Sequence, residues 1–476
     1  MSEHLWSPRI SRRSLLRGGA AAALAAGLPP AAYAAKMPPA RGAAAGPHDR
    51  RPVNIRVSRD GYAGHGEPSV AINPRNPRNL LGACMVWHGN QVEHEVIATY
   101  ASFDGGRAWH SNGAVPLPHH TMFADDVSVA FDPAGRGFVC ATAITSTGRG
   151  VYLWRTDDGG VSFRGPIPVV TRVFVDHPWL AIAPDRGNMH AVWVAFDHQA
   201  LGYTRSLDGG ATFDAARAIP AAEGTSINGP MAAAGRDGLV AAIYAIATDS
   251  PGGSDPGGAA APGDSGRGGG GDTNMQIAVV CSATAGQSFA APVTLGTSAF
   301  DIALPGDVHP GSSPAIAAAP NHRALYAAFV THEPGAGHSD VMVTASLDRG
   351  RSWSTPAAAT PPDNRIYFQP QLAVDRSGRV ALSAFALADG RIDTVLFRSP
   401  ARRLSFGPPL TVTTRSFDPA RGVQGGKHGA WWVGDYQGLA ASTARAVHPL
   451  WNDTRTGALE LFTAAVPHRD ASPHQA

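Results

Sequence analysis

Seven small apolar segments of this 476-residue chain begin alike: "PSVAINP", "VSVAFDP", "PWLAIAP", "PMAAAGR", "PAIAAAP", "PQLAVDR" and "QGLAAS". Aligned on them, one residue stands just ahead of each: Glu67, Asp126, His177, Gly229, Ser313, Gln369 and Tyr436. If the segments close into a ring, Tyr436 and Glu67 become neighbours and Asp126 lies one unit further on. A tyrosine is a weak nucleophile at neutral pH and needs an adjacent base. Glu67 can take that proton and Asp126 can serve as a separate acid/base. A second chemistry is open to the same residues. Glu67, Asp126 and His177, with Asp125 and Asp176 beside them, make a mixed oxygen and nitrogen set that fits a divalent cation loosely. The expectation carried forward is no metal and no cofactor. A third possibility is plain: the mouth of a wet channel is polar whatever it does.

Such residues must be held by something that repeats. "SFDGGRAW" at Ser102 returns as "TDDGGVSF" at Thr156, "SLDGGATF" at Ser206, "SATAGQSF" at Ser282 and "SLDRGRSW" at Ser346, with an eroded copy, "SPARRLSF", at Ser399. Internal repetition at about 50 residues points to a repeat architecture. Each unit reads as four short strands, with the aspartate-glycine turn between the third and the fourth, which is the pattern of a β-propeller blade. The aspartate can accept hydrogen bonds from N–H groups of its own turn, and the glycines supply positive φ. It is missing from the copies at 282 and 399, and the turn falls at a blade's outer edge. It is therefore expected to build the fold rather than to react. The fold class expected is all-β, a propeller of four-stranded blades, with seven blades favoured and six as the alternative. The last unit supplies only three strands, and the lone strand "VNIRVS", Val53–Ser58, is expected to pair into it and close the ring, since closure removes open edges.

The ends and one interruption are read separately. Arg12 and Arg13 precede an alanine-rich apolar run ending in Ala32-Tyr33-Ala34, the order of a twin-arginine export signal. Residues 1–34 are thus expected to be a leader, 35–51 a flexible linker, 52–468 the propeller and 469–476 a tail, the protein being secreted or periplasmic. The glycine- and proline-rich stretch Asp249 to Asp272 reads as a disordered insertion. Without the leader, 35 basic residues face 36 acidic ones, which is no footprint for nucleic acid. No further apolar run is long enough to span a membrane. Cys84, Cys140 and Cys281 lie in apolar runs and read as buried thiols, with a Cys84–Cys140 disulfide as the alternative.

The recurring turn resembles the Asp-box, or BNR repeat. "GEPSVAINPRNPRNLL", "DHPWLAIAPDRG" and "GDYQGLAAS…HPLWNDTRTG" make most of the chain similar to secreted bacterial Asp-box propellers of the sialidase superfamily. That resemblance implies a sialidase-like glycoside hydrolase acting on extracellular glycans, with Tyr436 as nucleophile, Glu67 as its base and Asp126 as acid/base. Sialidases proper have six blades, an "RIP"-type segment and three arginines that grip the substrate carboxylate. "NIRVSRD" is not that segment, and the arginines placed near the rim are Arg455, Arg365 and Arg391. Substrate contacts are expected from Arg455, Arg365, His177, Trp179, Asp453 and Gln369. The partner expected is a glycan, bound by a monomer. The competing expectation is a non-catalytic glycan- or protein-binding propeller with a degenerate site.

Overall fold

A computed structural model describes residues 52–89, 94–195, 198–247, 274–299, 308–309, 311–332, 337–400, 404–422, 431–441 and 446–467. The leader, the linker, the tail and the 249–272 insertion lie outside them. The described chain is an all-β propeller of four-stranded antiparallel blades. The first comprises Gly64–Ile72, Leu80–Trp87, Val96–Ser102 and His110–Ala114, and the second Thr121–Phe131, Gly137–Thr145, Gly148–Thr156 and Arg164–Thr171. Asp176–Ile182 opens the third and Ser226–Ala234 the fourth. In the fourth, Ala247 pairs with Met275, so the strands on either side of the insertion continue one hairpin.

Five blades are separate sheets, against the seven favoured or the six held as the alternative: four of four strands, and one of five that contains the N-terminal strand. Of the remaining strands, Val308–His309 and Trp431–Trp432 form a two-stranded parallel sheet, and the others form a single eight-stranded sheet running from Ala315–Ala318 to Leu410–Thr411. Within it two antiparallel four-stranded runs join through one parallel pair, Ser339 with Ile366. Ser339 also accepts a hydrogen bond at Oγ from the Tyr367 amide (2.8 Å) and donates to the Tyr367 carbonyl (2.6 Å). Counting turns in the sequence assumes that each unit keeps its own edge; a serine at a strand start lets two units share one.

The N-terminal strand does close the ring. Ile55 pairs with Thr463 and Arg56 with Phe462. Arg56 donates to Glu460 (2.5 Å), and Asn54 caps the neighbouring outer strand by donating to the Val412 carbonyl (2.8 Å). The second strand of each blade is mostly apolar because both of its faces are covered. Leu80–Trp87 and Gly137–Thr145 are buried at every residue. Cys84, Cys140 and Cys281 are free and buried.

The repeated turn is an outer brace. Asp104 Oδ1 accepts from the Arg107 and Ala108 amides (2.9 and 3.0 Å), and Ser102 Oγ accepts from the Gly106 amide (2.9 Å). Asp158 and Asp208 repeat this on their own turns. In the copy without aspartate, Thr284 Oγ1 accepts from the Ser288 amide at 3.0 Å. Arg205 and Arg217 of the preceding blade also donate to the carbonyls of Ala285, Gly286 and Gln287 in that turn.

Candidate functional site

The first strand of each unit lies against the first strand of the next, and Gly438–Ala441 completes the circuit against Gly64–Ile72. Adjacent inner strands are stapled: the Val129 amide donates to Ser69 Oγ (3.1 Å), and the Leu180 amide to Ser128 Oγ (3.0 Å). Two residues before each of these serines the strand breaks register. The bulges fall between Gly66 and Ser69, Asp125 and Ser128, Asp176 and Trp179, Asn228 and Met231, and Phe368 and Gln371. Inside them Glu67, Asp126, His177, Gly229 and Gln369 all have φ between 50° and 55°. A non-glycine residue with positive φ is uncommon and draws attention when several share one place. These are five of the seven residues that the sequence alignment put in register.

The structure brings the three expected catalytic residues together. Tyr436, 2% exposed, accepts from the Val127 amide at 2.9 Å and donates to the Val127 carbonyl at 3.1 Å. Burial raises its pKa well above the usual phenol range, and the nearby Glu67 and Asp126 carboxylates raise it further. Burial likewise pushes Glu67 well above the carboxylate range, helped by repulsion from Asp435, Asp126, Asp125 and Asp176. Asp125 and Asp176 are held up by burial and by Asp126, with Arg149 pulling the other way. Asp126 Oδ2 accepts from the His177 amide at 3.1 Å, and His177 Nδ1 lies 3.7 Å from Asp126 Oδ1. Burial pushes the His177 imidazole down, against the pull of Asp126 and Asp435. The Asp126 and Asp176 side chains keep 14% and 20% of their surface exposed, so solvent reaches one edge of the cluster.

Of the expected substrate contacts, His177 and Trp179 are at the site. Trp179 meets the Tyr436 ring edge to face at 5.4 Å and stacks on His177 at 6.3 Å. Gln369 is beside it but occupied: Nε2 donates to the carbonyls of Gly311 (3.0 Å) and Gly434, and Oε1 accepts from Gln437 (2.5 Å). Arg455, Asp453 and Arg365 are used elsewhere. Arg455 donates to Asp453 (2.5 Å), Asn54 (3.0 Å) and Thr414 (3.1 Å), all part of the ring closure. Arg365 pairs with Asp363 at 3.4 Å. Both arginines have an aspartate two residues away in sequence, and a local partner costs less chain entropy than a distant one. Two participants escaped the sequence reading of roles. Asp435 Oδ1 accepts from Trp432 Nε1 and the Gly311 amide, each at 3.2 Å, and its charge acts on Glu67. Arg149 reaches the cluster from a hairpin and carries no repeat signal; its guanidinium lies 5.0 Å over the Phe174 ring. Among the described residues no His, Cys, Asp and Glu group has the geometry of a metal centre.

The fold and the axial cluster define the class: an all-β propeller with an acidic site at the convergence of its inner strands. No protein-family model matches the chain, and no curated protein matches it. Solved structures do. An ulvan lyase, a polysaccharide lyase seen bound to a glucuronosyl-rhamnose 3-sulfate glycan, aligns with a TM-score of 0.50 at 11% identity over 86% of this chain and 96% of its own. A Hadza microbial sialidase gives 0.45 at 12% identity, over 80% and 75%. An α-L-arabinofuranosidase from Fusarium graminearum gives 0.45 at 11%, over 70% and 92%. At such identity the likeness to the lyase speaks to architecture alone.

Proposed function

We propose that the protein is an exported glycoside hydrolase that cleaves glycans at the axial cluster, with Glu67 and Asp126 as its acid–base pair. The observation that carries this reading is the convergence of Glu67 and Asp126 from two inner strands with Tyr436, two residues ahead of the inner strand Gly438–Ala441, beside Trp179. A carboxyl lifted above its usual range by burial and like charge is the form a general acid needs, while a second carboxylate acts on the other side of the bond. Glu67 meets the first requirement. The lift also makes it a poor base for Tyr436, whose hydroxyl is committed to Val127 in both directions. Tyr436 is therefore read as the group that positions the bulge carrying Asp126, rather than as the nucleophile. The twin-arginine leader supports export, and the polysaccharide named for the lyase of similar fold is consistent with a glycan substrate.

A sialoside fits less well. Binding its carboxylate calls for guanidinium forks, and Arg455 and Arg365 are occupied. Among the described residues Arg149 is the arginine whose charge acts on the cluster, and it faces Asp125 and Asp176. The deciding experiment is hydrolysis of a panel of fluorogenic glycosides, neutral and sialylated, by the leaderless protein and by Glu67→Gln. Turnover of a sugar without a carboxylate is expected. Loss of a general acid should lower kcat by about a hundredfold or more in the variant. Equal rates in the two proteins would refute the role of Glu67. Glycan binding without any turnover would favour the binding-propeller reading instead.

A further inference from the structure

The site is lined by acceptors that have no donor. Asp125 Oδ1 is buried and unpartnered, and so is His177 Nε2, on a residue only 7% exposed. His177 Nδ1 lies 3.7 Å from Asp126 Oδ1, and in the tautomer that carries its proton on that side Nε2 presents a lone pair. Glu67, Asp176 and Asp435 add carboxyl groups acting on the same space. A buried acceptor without a donor costs stability until a ligand satisfies it. A sugar hydroxyl would satisfy one such atom, but a carboxylate-bearing sugar would add a further negative charge to a place where like charges already repel.

We propose that the axial site selects an amine-bearing saccharide, its ammonium seated between Asp125, Asp126 and His177 Nε2 and its ring face against Trp179. The ammonium has three donors and no acceptor, so it matches this set of acceptors in both charge and hydrogen bonding. Trp179 is only partly buried, stacks on His177 and meets Tyr436 edge to face. The proposal rests on the axial cluster being the substrate site, not on hydrolysis taking place there.

Calorimetric titration of the leaderless wild-type protein with a glucosamine tetrasaccharide, and with its fully N-acetylated counterpart, separates the possibilities. The free amine is expected to bind at least about tenfold more tightly, the size of one hydrogen bond to a charged group. Asp125→Asn should erase most of that preference while leaving the N-acetylated ligand's affinity nearly unchanged. Asp176→Asn, which removes a charge acting on Asp125, should weaken the preference in the same direction, which guards against a single variant that fails to fold. Equal or tighter binding of the N-acetylated ligand, or no binding of the free amine at millimolar concentration, would overturn the proposal. Preferential amine binding without turnover would leave it standing while refuting the hydrolase reading. Turnover of neutral glycosides with no amine preference would do the reverse.

Discussion

Tyr436→Phe should destabilise the fold as well as disturb the site. The tyrosine hydroxyl bridges the amide and carbonyl of Val127, at 2.9 and 3.1 Å. The bulge between Asp125 and Ser128 takes Val127 out of the ladder with its neighbouring strand, and Val127 is fully buried. Removing one oxygen therefore strands a buried N–H and a buried C=O together. Each unpaired group costs ~1–3 kcal/mol, and an incoming water recovers some of it, so the loss should be about 2–4 kcal/mol. The assay is urea unfolding followed by tryptophan fluorescence, comparing midpoints at equal slope. A loss below about 0.5 kcal/mol, the range of an inert surface change, would refute the idea that this hydroxyl holds the bulge. The consequence for enzymology is direct. Loss of turnover in Tyr436→Phe does not identify a nucleophile, because Asp126 moves with Val127. Glu67→Gln, whose fold should survive, is the cleaner probe.

Glu67→Gln should be more stable than wild type at pH 8. A carboxyl whose native pKa is raised costs stability as pH climbs above its unfolded value near 4.5. The advantage in melting temperature should vanish at pH 4, and its absence at pH 8 would count against the cluster. His190 bonds Tyr203 at 2.8 Å, and burial, helped by the charge of Arg205, holds its pKa down to about 3. Its contribution is complete above the unfolded value of 6.5 and drains away as pH falls toward 3. The stability difference between wild type and His190→Gln should therefore shrink between pH 7 and pH 4, and a constant difference would contradict the assignment. Gly350→Ala places a Cβ 2.2 Å from Cys281 Sγ at φ 85°, whereas Gly105→Ala meets nothing within 4 Å at φ 81°. Denaturation midpoints should show the second losing about 1 kcal/mol, the backbone cost alone, and the first clearly more.

Much of this architecture is written in the chain because it repeats. Four strands per unit and the register of Glu67, Asp126, His177 and Gln369 follow from aligning small apolar segments, and the lone alternating stretch Val53–Ser58 points to the closing strand, which spans Ile55–Arg56. What the alignment lacks is conformation. Glu, Asp, His, Gly and Gln share no chemical signature that announces a left-handed bulge, so its presence at one place in five strands emerges only from the backbone. Pairing is the second gap. The sequences around Arg455 and Arg365 show polar residues near strand ends, but not that Asp453 and Asp363 satisfy them. Arg149 illustrates the converse, a side chain sent toward the axis from a hairpin that looks like any other. The shared edge at Ser339 rests on one residue, through its amide and its hydroxyl, and alters the sheet count without altering the pattern of strands.

The bulges also explain how one scaffold carries different chemistry. A left-handed non-glycine residue costs roughly 1–2 kcal/mol, and four of them surround this axis. They persist because the strands are fixed on both sides: the ladder ahead of each bulge and, in the first two blades, the serine staple two residues after it. Such a residue leaves its place in the ladder, and its side chain is free of the alternation that would otherwise send it into a blade face. The fourth blade keeps the φ, at 53°, but fills the place with Gly229. There the strain is gone and no side chain is offered, while the fold continues unchanged. Backbone geometry at this position therefore belongs to the propeller, and side-chain identity to the chemistry the axis presents. Substitutions confined to these positions should change what the site does before they change whether the protein folds.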